Sequence, residues 1–159
     1  MSNLGPEVIS LGELLIDFVS TKSGCRLRYA PSFEKAPGGA PANIAVGLAK
    51  LGVRSGFIGK VGTDEFGAFL RDVLVENGVD VSHLKFTGEA RTALAFVSLT
   101  ETGERDFLFY RDPCADMLLN PQDIDEAYIA CAKVFHHGSI SLIREPARSA
   151  TLRAVEIAK

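Results

Sequence analysis

Asp17 is the first residue along the chain whose type and position point to chemistry. It lies in the apolar run Leu14–Val19, which is typical of a strand in a sheet that is buried on both faces. A carboxylate in such a run must accept hydrogen bonds, because burying it without them is costly. Asp17 is therefore predicted either to bind a polar ligand or, on a purely structural interpretation, to cap a neighbouring loop from the end of its strand.

A second candidate feature is the glycine pair Gly38–Gly39, which directly precedes residues with helical spacing. Glycine can adopt φ > 0 or let another group approach closely, and Pro41 suits a first helical turn. Because a helix N-terminus presents free N–H groups, this turn is predicted to face an anion or another polar ligand. The alternative is a simple turn, since the sequence has neither a Walker loop nor a Gly-x-Gly-x-x-Gly motif.

The elements that position these residues alternate between strands and helices. Short apolar runs predict the strands, and apolar side chains at helical spacing that end at Gly52 and Gly78 predict two of the helices. The second of these is expected to be capped by Thr63 or Asp64. The fold class is therefore predicted as α/β, with a parallel sheet core and flanking helices. The predicted strands begin at Val8, Ser55 and Val134, and the predicted helices cover 41–51 and 64–77 and begin again at 121 and 146.

Two segments, 20–37 and 91–111, interrupt this alternation. The first is polar, and the second reads as two strands joined by the turn Glu101–Glu104. An antiparallel hairpin does not belong in a doubly wound parallel sheet, so the two segments are predicted to form a small antiparallel β lid. The alternatives are a surface loop for the first segment and an antiparallel extension of the main sheet for the second.

Length and composition suit one ordinary soluble domain, with 159 residues of which 47% are hydrophobic and 23% charged. A net charge of −3 without a basic patch argues against nucleic acid as a partner. No apolar run has the length of a membrane span, so no membrane partner is expected. The N-terminus resembles neither a signal peptide nor a transit peptide, which predicts a cytoplasmic location.

Cysteine and histidine do not form a metal or redox motif. Cys25, Cys114 and Cys131 are odd in number, far apart and outside any Cys-x-x-Cys pattern, so they are predicted to be reduced. His136 and His137 are adjacent on a predicted strand, where neighbouring side chains point to opposite faces. They are therefore not expected to share a metal ion.

Four stretches carry a resemblance to a known family. The residues Gly39, Asn43, Ala45, Gly52 and Gly62 stand at the spacings of the first signature of the ribokinase-like (pfkB-type) carbohydrate kinases. The other three stretches resemble the plant-type fructokinases; they are GELLIDF at Gly12–Phe18, FYRDPCADMLL at Phe109–Leu119 and FHHGSISLI at Phe135–Ile143. The resemblance covers essentially the whole chain, but only about the first half of such an enzyme.

The resemblance implies an enzyme that transfers the γ-phosphoryl group of ATP to the 6-hydroxyl of fructose, with Mg²⁺ bound to ATP. In this family an Asp of a later Gly-Ala-Gly-Asp motif is the general base, and N–H groups at a helix N-terminus form an anion hole. That motif and the segments that hold adenine are absent from residues 1–159. The chain is therefore expected to hold the sugar, to lack the catalytic base, to bind no ATP or metal by itself and to be inactive alone.

The resemblance also implies which residues contact the sugar. Asp17 is expected to accept hydrogen bonds from sugar hydroxyls, because a polyol supplies several donors without a counter-charge. Gly38, Gly39 and Asn43 are expected beside Asp17 at one crevice.

Tyr110 and Arg111 are expected to contact the sugar from the end of the hairpin, again by resemblance. The sequence departs from the plant pattern here, because Asp112 and Cys114 stand where that pattern has Asn and Ser. Asp112 is expected to be able to pair with Arg111 and to weaken its contact with the sugar.

Two other functions remain open on the sequence. One is a non-catalytic module that binds sugar or pairs with a kinase through the lid, where a second copy would cover Phe107 and Phe109. The other is a different sugar kinase, such as a ribokinase, since the choice of fructose rests on resemblance alone.

Overall fold

Two β-sheets form the framework of the protein in the computed structural model, which describes residues 5–100, 102 and 104–159. The eight strands are β1 (Val8–Leu11), β2 (Leu15–Ser20), β3 (Phe33–Gly38), β4 (Ser55–Gly62), β5 (Leu84–Thr87), β6 (Leu94–Leu99), β7 (Arg105–Tyr110) and β8 (Val134–His137). The four α-helices of the described residues are α1 (Ala40–Lys50), α2 (Glu65–Glu76), α3 (Glu126–Ala130) and α4 (Ala147–Ile157). Two residues of the predicted hairpin turn, Glu101 and Gly103, lie outside the described residues.

The main sheet has the strand order β5-β4-β1-β8, and each neighbouring pair runs parallel. Alternating side chains of β4 point to opposite faces, which explains why the strand is buried along its whole length. Phe57 packs in the cluster with α1 and α2, whereas Ile58 packs in the cluster with α3 and α4. The predicted parallel α/β core is confirmed.

The second sheet has the order β3-β2-β6-β7 and is mixed. β3 and β7 run antiparallel to their neighbours, but the central pair β2 and β6 runs parallel. The predicted antiparallel lid is therefore corrected to a mixed sheet. It also begins at Leu15 rather than at residue 20, because the chain leaves the main sheet at Gly12–Glu13 and carries β2, with Asp17, into the second sheet.

Asp64 links the two sheets by capping α2. Its carboxylate accepts hydrogen bonds from the backbone N–H of Gly67 at 3.0 Å and of Thr92 at 2.9 Å, and a third from the Thr92 hydroxyl. Burial raises the pKa of Asp64, but these hydrogen bonds outweigh that effect and hold its pKa below the ordinary value. Of the two predicted caps, Asp64 is the one that bonds to the helix.

Asp64→Ala is expected to lower the free energy of unfolding by about 2 kcal/mol, because a helix cap and the bonds to Thr92 are lost together. A carboxyl whose folded pKa is lowered stabilises the protein at neutral pH and loses that effect as the pH falls through the folded pKa. Urea unfolding should therefore show a difference between variant and parent that is constant from about pH 7 to about pH 5 and shrinks as the pH falls below about 4. Asp72→Ala, an exposed change on the same helix, is the control and should stay within about 0.5 kcal/mol.

No helix within the described ranges has both the length and the apolar character needed to cross a bilayer.

Candidate functional site

Asp17 lies on one face of the second sheet, between small side chains. The strand register places Ala36, Asp17, Ala95 and Phe109 in one row across the four strands. The next row on this face includes Val19 and Phe107, which are both well exposed, so we call it the open face. Asp17 is half-buried in this row, and its neighbours on the adjacent strands are the small side chains of Ala36 and Ala95.

The Asp17 carboxylate is available to a ligand. Burial raises its pKa and the charge of Arg105 partly opposes this, while no hydrogen bond from the described residues contributes. If Asp17 instead capped a neighbouring loop, its carboxylate would accept a hydrogen bond from that loop. A half-buried carboxylate without a donor is suited to a ligand that supplies several hydroxyl groups.

Gly38 leaves the room that the Asp17 carboxylate occupies. A Cβ added at Gly38 would overlap Oδ2 of Asp17 and would lie 2.9 Å from Cδ1 of Leu15. Any larger residue at this position would therefore displace the carboxylate. Here the close approach of a side chain, and not a positive φ, requires glycine.

Gly39 is the residue that precedes α1, and it has φ 106°, a conformation that favours glycine. Its carbonyl accepts the backbone N–H of Asn43 at 2.9 Å, which starts the helix. Asn43 is exposed on the first turn and, with Gly38, lines a groove of about 240 Å³ between α1 and α2. Asp17 does not line this groove. The structure thus brings Asp17, Gly38 and Gly39 together, whereas a crevice shared by Asp17 and Asn43 stays a prediction.

Tyr110 and Phe109 lie on opposite faces of the second sheet. The Tyr110 ring meets Phe96 edge-on at 5.5 Å, and Phe96 stacks on Phe18 at 5.1 Å on the face that packs towards α2. Phe109 lies in the row of Asp17, is 51% exposed and stacks on Phe107. A contact of Tyr110 with the sugar stays a prediction, while the aromatic side chain that shares the row of Asp17 is that of Phe109. Strand alternation separates the two, but only the register of β7 against β6 shows which of them faces Asp17.

Arg111 forms an ion pair with Asp116, which is buried in a short 3₁₀ helix at Ala115–Leu118. The expected pairing of Arg111 with Asp112 is wrong, because Asp112 pairs instead with Arg144 at the surface. The signal in the sequence is the second acid of the same stretch, Asp116, which is six residues beyond the end of β7 at Tyr110.

Cys114 is buried close to this ion pair. Its thiol donates a hydrogen bond to the carbonyl oxygen of Tyr110 at 3.0 Å, and burial raises its pKa to about 11. The thiol is therefore protonated at neutral pH and is a poor nucleophile. Cys114, which stands where the plant pattern has Ser, therefore still donates a hydrogen bond to Tyr110 at the end of the hairpin.

Glu13 is a buried carboxylate that the sequence analysis did not single out. It is 4% exposed, and its Oε1 accepts the backbone N–H of Ala40 at 3.1 Å, at the N-terminus of α1. Oε2 is buried and has no hydrogen-bond partner among the described residues. Burial raises the pKa of Glu13, while the bond from Ala40 and the charge of Arg111 oppose that effect. Glu13 lies between β1 and β2, where the apolar pattern of the sequence is interrupted, so that pattern does not predict that its side chain is buried.

The two adjacent histidines have separate partners. The Ser10 hydroxyl donates to the carbonyl oxygen of Pro41 at 2.8 Å, so it accepts from Nδ1–H of His136 at 2.9 Å. Nδ1 of His137 lies 3.2 Å from the carbonyl oxygen of Gly138. Across the described residues no group of three or more potential metal ligands comes together.

Comparison with known proteins shows the family to which the chain belongs. Residues 6–159 match the model of the pfkB family of carbohydrate kinases. A fructokinase of Solanum tuberosum is 57% identical over 96% of this chain and 48% of its own length, and the probable fructokinase-7 of Arabidopsis thaliana is 59% identical over 96% and 44%. The chain thus spans a little under half the length of these relatives. The crystal structure of the Xylella fastidiosa fructokinase with bound ATP superposes with a TM-score of 0.85 at 37% identity, over 96% of this chain and 48% of that one. The chain therefore belongs to the pfkB family of carbohydrate kinases.

Proposed function

We propose that this chain supplies the sugar-binding part of a fructokinase, which transfers the γ-phosphoryl group of ATP to fructose and yields fructose 6-phosphate. The observation that carries the proposal is the Asp17 carboxylate, which lies on the open face above Gly38 without a donor. A neutral polyol supplies hydroxyl donors to such a group without bringing a second charge. Fructose is chosen because the relatives at 57–59% identity are named as fructokinases.

In this proposal each residue of the site has a separate task. Asp17 accepts hydrogen bonds from the sugar hydroxyls, and the exposed ring of Phe109 covers the apolar face of the sugar from the same row. Gly38 and Gly39 bring backbone close to the ligand, and we propose that Asn43 reaches the ligand from α1 across Gly38, which lines the same groove. Tyr110 acts indirectly, by holding β7 against Phe96.

We assign no catalytic base to residues 1–159, because the Gly-Ala-Gly-Asp motif of the family is absent from them. ATP and Mg²⁺ are proposed to bind to the remainder of a complete enzyme. We further propose that the enzyme is cytoplasmic, which imaging of a fluorescent fusion would test.

The second sheet supports a further role, the pairing of two copies. β7 is an edge strand, and four consecutive large side chains, Phe107–Tyr110, are 43–59% exposed. An exposed apolar edge strand of this kind can pair with another chain, which would bury its apolar side chains. We propose a homodimer through this strand; the same contact would serve a non-catalytic module that pairs with a kinase.

A chimera tests the proposed function. Residues 1–159 replace the matching part of the Solanum tuberosum fructokinase, and ADP release is measured with fructose and with ribose. We expect turnover of fructose on the order of 1–100 per second, together with fructose 6-phosphate as the product. A preference for ribose would show that the chain belongs to a ribokinase. A folded chimera that uses neither sugar would favour the non-catalytic module.

A further inference from the structure

Three charged side chains that border the open face each leave one buried polar atom without a partner. They are Oε2 of Glu13, Nε of Arg111 and Oδ1 of Asp116, and none has a hydrogen-bond partner among the described residues. Glu13 is 4% exposed and Asp116 is 9% exposed. An unpaired buried polar atom is costly, so three of them in one place indicate a missing polar ligand.

The three groups converge at the edge of the proposed sugar site. The backbone carbonyl of Glu13 lies against Gly39, and its side chain holds the first N–H of α1. A Cβ added to Gly138, just after β8, would lie 3.0 Å from Oε2 of Glu13. Glu13 thus stands where the carboxyl ends of β1 and β8 meet the glycine turn, and its charge interacts with those of Arg111 and Asp116.

Arg111 connects this cluster with Asp17. It follows Phe109 by two residues, so strand alternation assigns it to the open face, one row beyond the row of Asp17. Asp17 is on β2, and Arg111 directly follows β7. Because β6 lies between these two strands, they are about 10 Å apart, or two interstrand spacings. A ligand that spans this width meets Asp17 at one end and Arg111 at the other.

The charges at this edge favour an uncharged ligand. At this edge Glu13 and Asp116 are two carboxyl groups and Arg111 is the guanidinium beside them, whereas Arg105 acts on Asp17 from two rows further along β7. A free guanidinium would bind a carboxylate in a bidentate manner, but Nη2 of Arg111 already donates to Asp116, which balances its charge and leaves Nε as a single unpaired donor. A sugar acid whose carboxylate lies at this edge would therefore meet two carboxyl groups and a guanidinium whose charge is already balanced.

We propose that Asp116, by neutralising Arg111, makes the site select uncharged sugars over sugar acids, with Glu13 reinforcing the selection. This inference rests on the proposed function, since it assumes that a sugar occupies the open face. Asp116 is a specificity-determining residue in this account and takes no part in phosphoryl transfer.

The test compares two ketoses that differ in one group. In 2-keto-D-gluconate a carboxylate replaces the C1 hydroxymethyl of fructose, and the 6-hydroxyl is retained. The chimera described above, its Asp116→Asn variant and an Asp112→Asn control are assayed for kcat/KM on both compounds. Asp112 is a matched control because it is a nearby carboxylate that pairs with another arginine, at the surface.

We expect Asp116→Asn to raise the ratio of kcat/KM for 2-keto-D-gluconate to that for fructose at least tenfold. Asp112→Asn should leave this ratio within about twofold of the parent. A purely structural role for Asp116 would lower both values together and leave the ratio unchanged, which would overturn the inference while the proposed function stood. A parent chimera that turns over no fructose would overturn both.

A second variant covers the case in which Asp116→Asn does not fold. The double variant Arg111→Gln, Asp116→Asn removes the ion pair without changing its net charge, so the ratio of kcat/KM for 2-keto-D-gluconate to that for fructose should stay within about threefold of the parent. A ratio at least tenfold below that of the parent would show that Arg111 binds the carboxylate in the parent and would contradict the inference.

Discussion

Residues 1–159 alone are expected to release no ADP above background with fructose and Mg-ATP. General-base catalysis contributes on the order of 10²–10⁴ in rate, and each preorganised anion-hole donor contributes about 10²–10³. Both belong, by family resemblance, to a Gly-Ala-Gly-Asp motif that this stretch does not contain. Sugar binding through Asp17 cannot replace them, because tight binding of the substrate alone does not lower the barrier to the chemical step.

The chimera is the positive control for this assay. Residues 1–159 and the chimera should be purified in the same way and compared at equal concentration. Turnover by residues 1–159 on the order of 1–100 per second would contradict the prediction. The isolated chain is also expected to aggregate or bind ANS. β8 is an edge strand of the main sheet within the described residues, and Val134 and the nearby Ile143 are 53% and 75% exposed.

Asp17→Ala is expected to reduce kcat/KM for fructose in the chimera by about ten- to a hundredfold. Hydrogen bonds to a charged group are worth about 1.5–3 kcal/mol each, and 1.4 kcal/mol corresponds to a factor of ten. Steady-state kinetics with fructose measures the change, and thermal unfolding shows whether the variant is folded. Glu34→Ala, an exposed acid on the open face one row away, is the matched control and should change kcat/KM less than about twofold. Kinetics of Asp17→Ala equal to those of the parent would remove Asp17 from the site.

The pH dependence of the KM for fructose is a second measurement of the role of Asp17. Burial raises the pKa of Asp17, so the carboxylate is protonated at a higher pH than a free aspartate as the pH falls. The KM for fructose should therefore rise on acidification before ordinary carboxyl groups titrate. Asp17→Asn should abolish this part of the pH profile.

The sequence by itself determined the parallel core and the helices around it. Continuous apolar runs at Val8, Ser55 and Val134 became neighbouring parallel strands, because only a sheet covered on both faces buries such runs. Local signals also placed the ends of the helices, since Gly52 and Gly78 adopt the positive φ that the spacing required and Asp64 caps α2. The signals for these strands and helix ends lie in residues that are close together in the chain, although the strands pair across distances as long as that from Val8 to Val134.

The tertiary structure alone decided the sheet to which Asp17 belongs and the residues that share its face. The apolar pattern of β2 fits either sheet, and the parallel pairing of β2 with β6 joins residues far apart in the chain. Because a shift of one residue in register exchanges the two faces of a strand, the sequence could not distinguish Phe109 from Tyr110. The sequence also could not identify the partner of Arg111, because Asp112 and Asp116 are both near it in the chain. Only the fold brings Asp116 to the guanidinium of Arg111 and pairs Asp112 with Arg144.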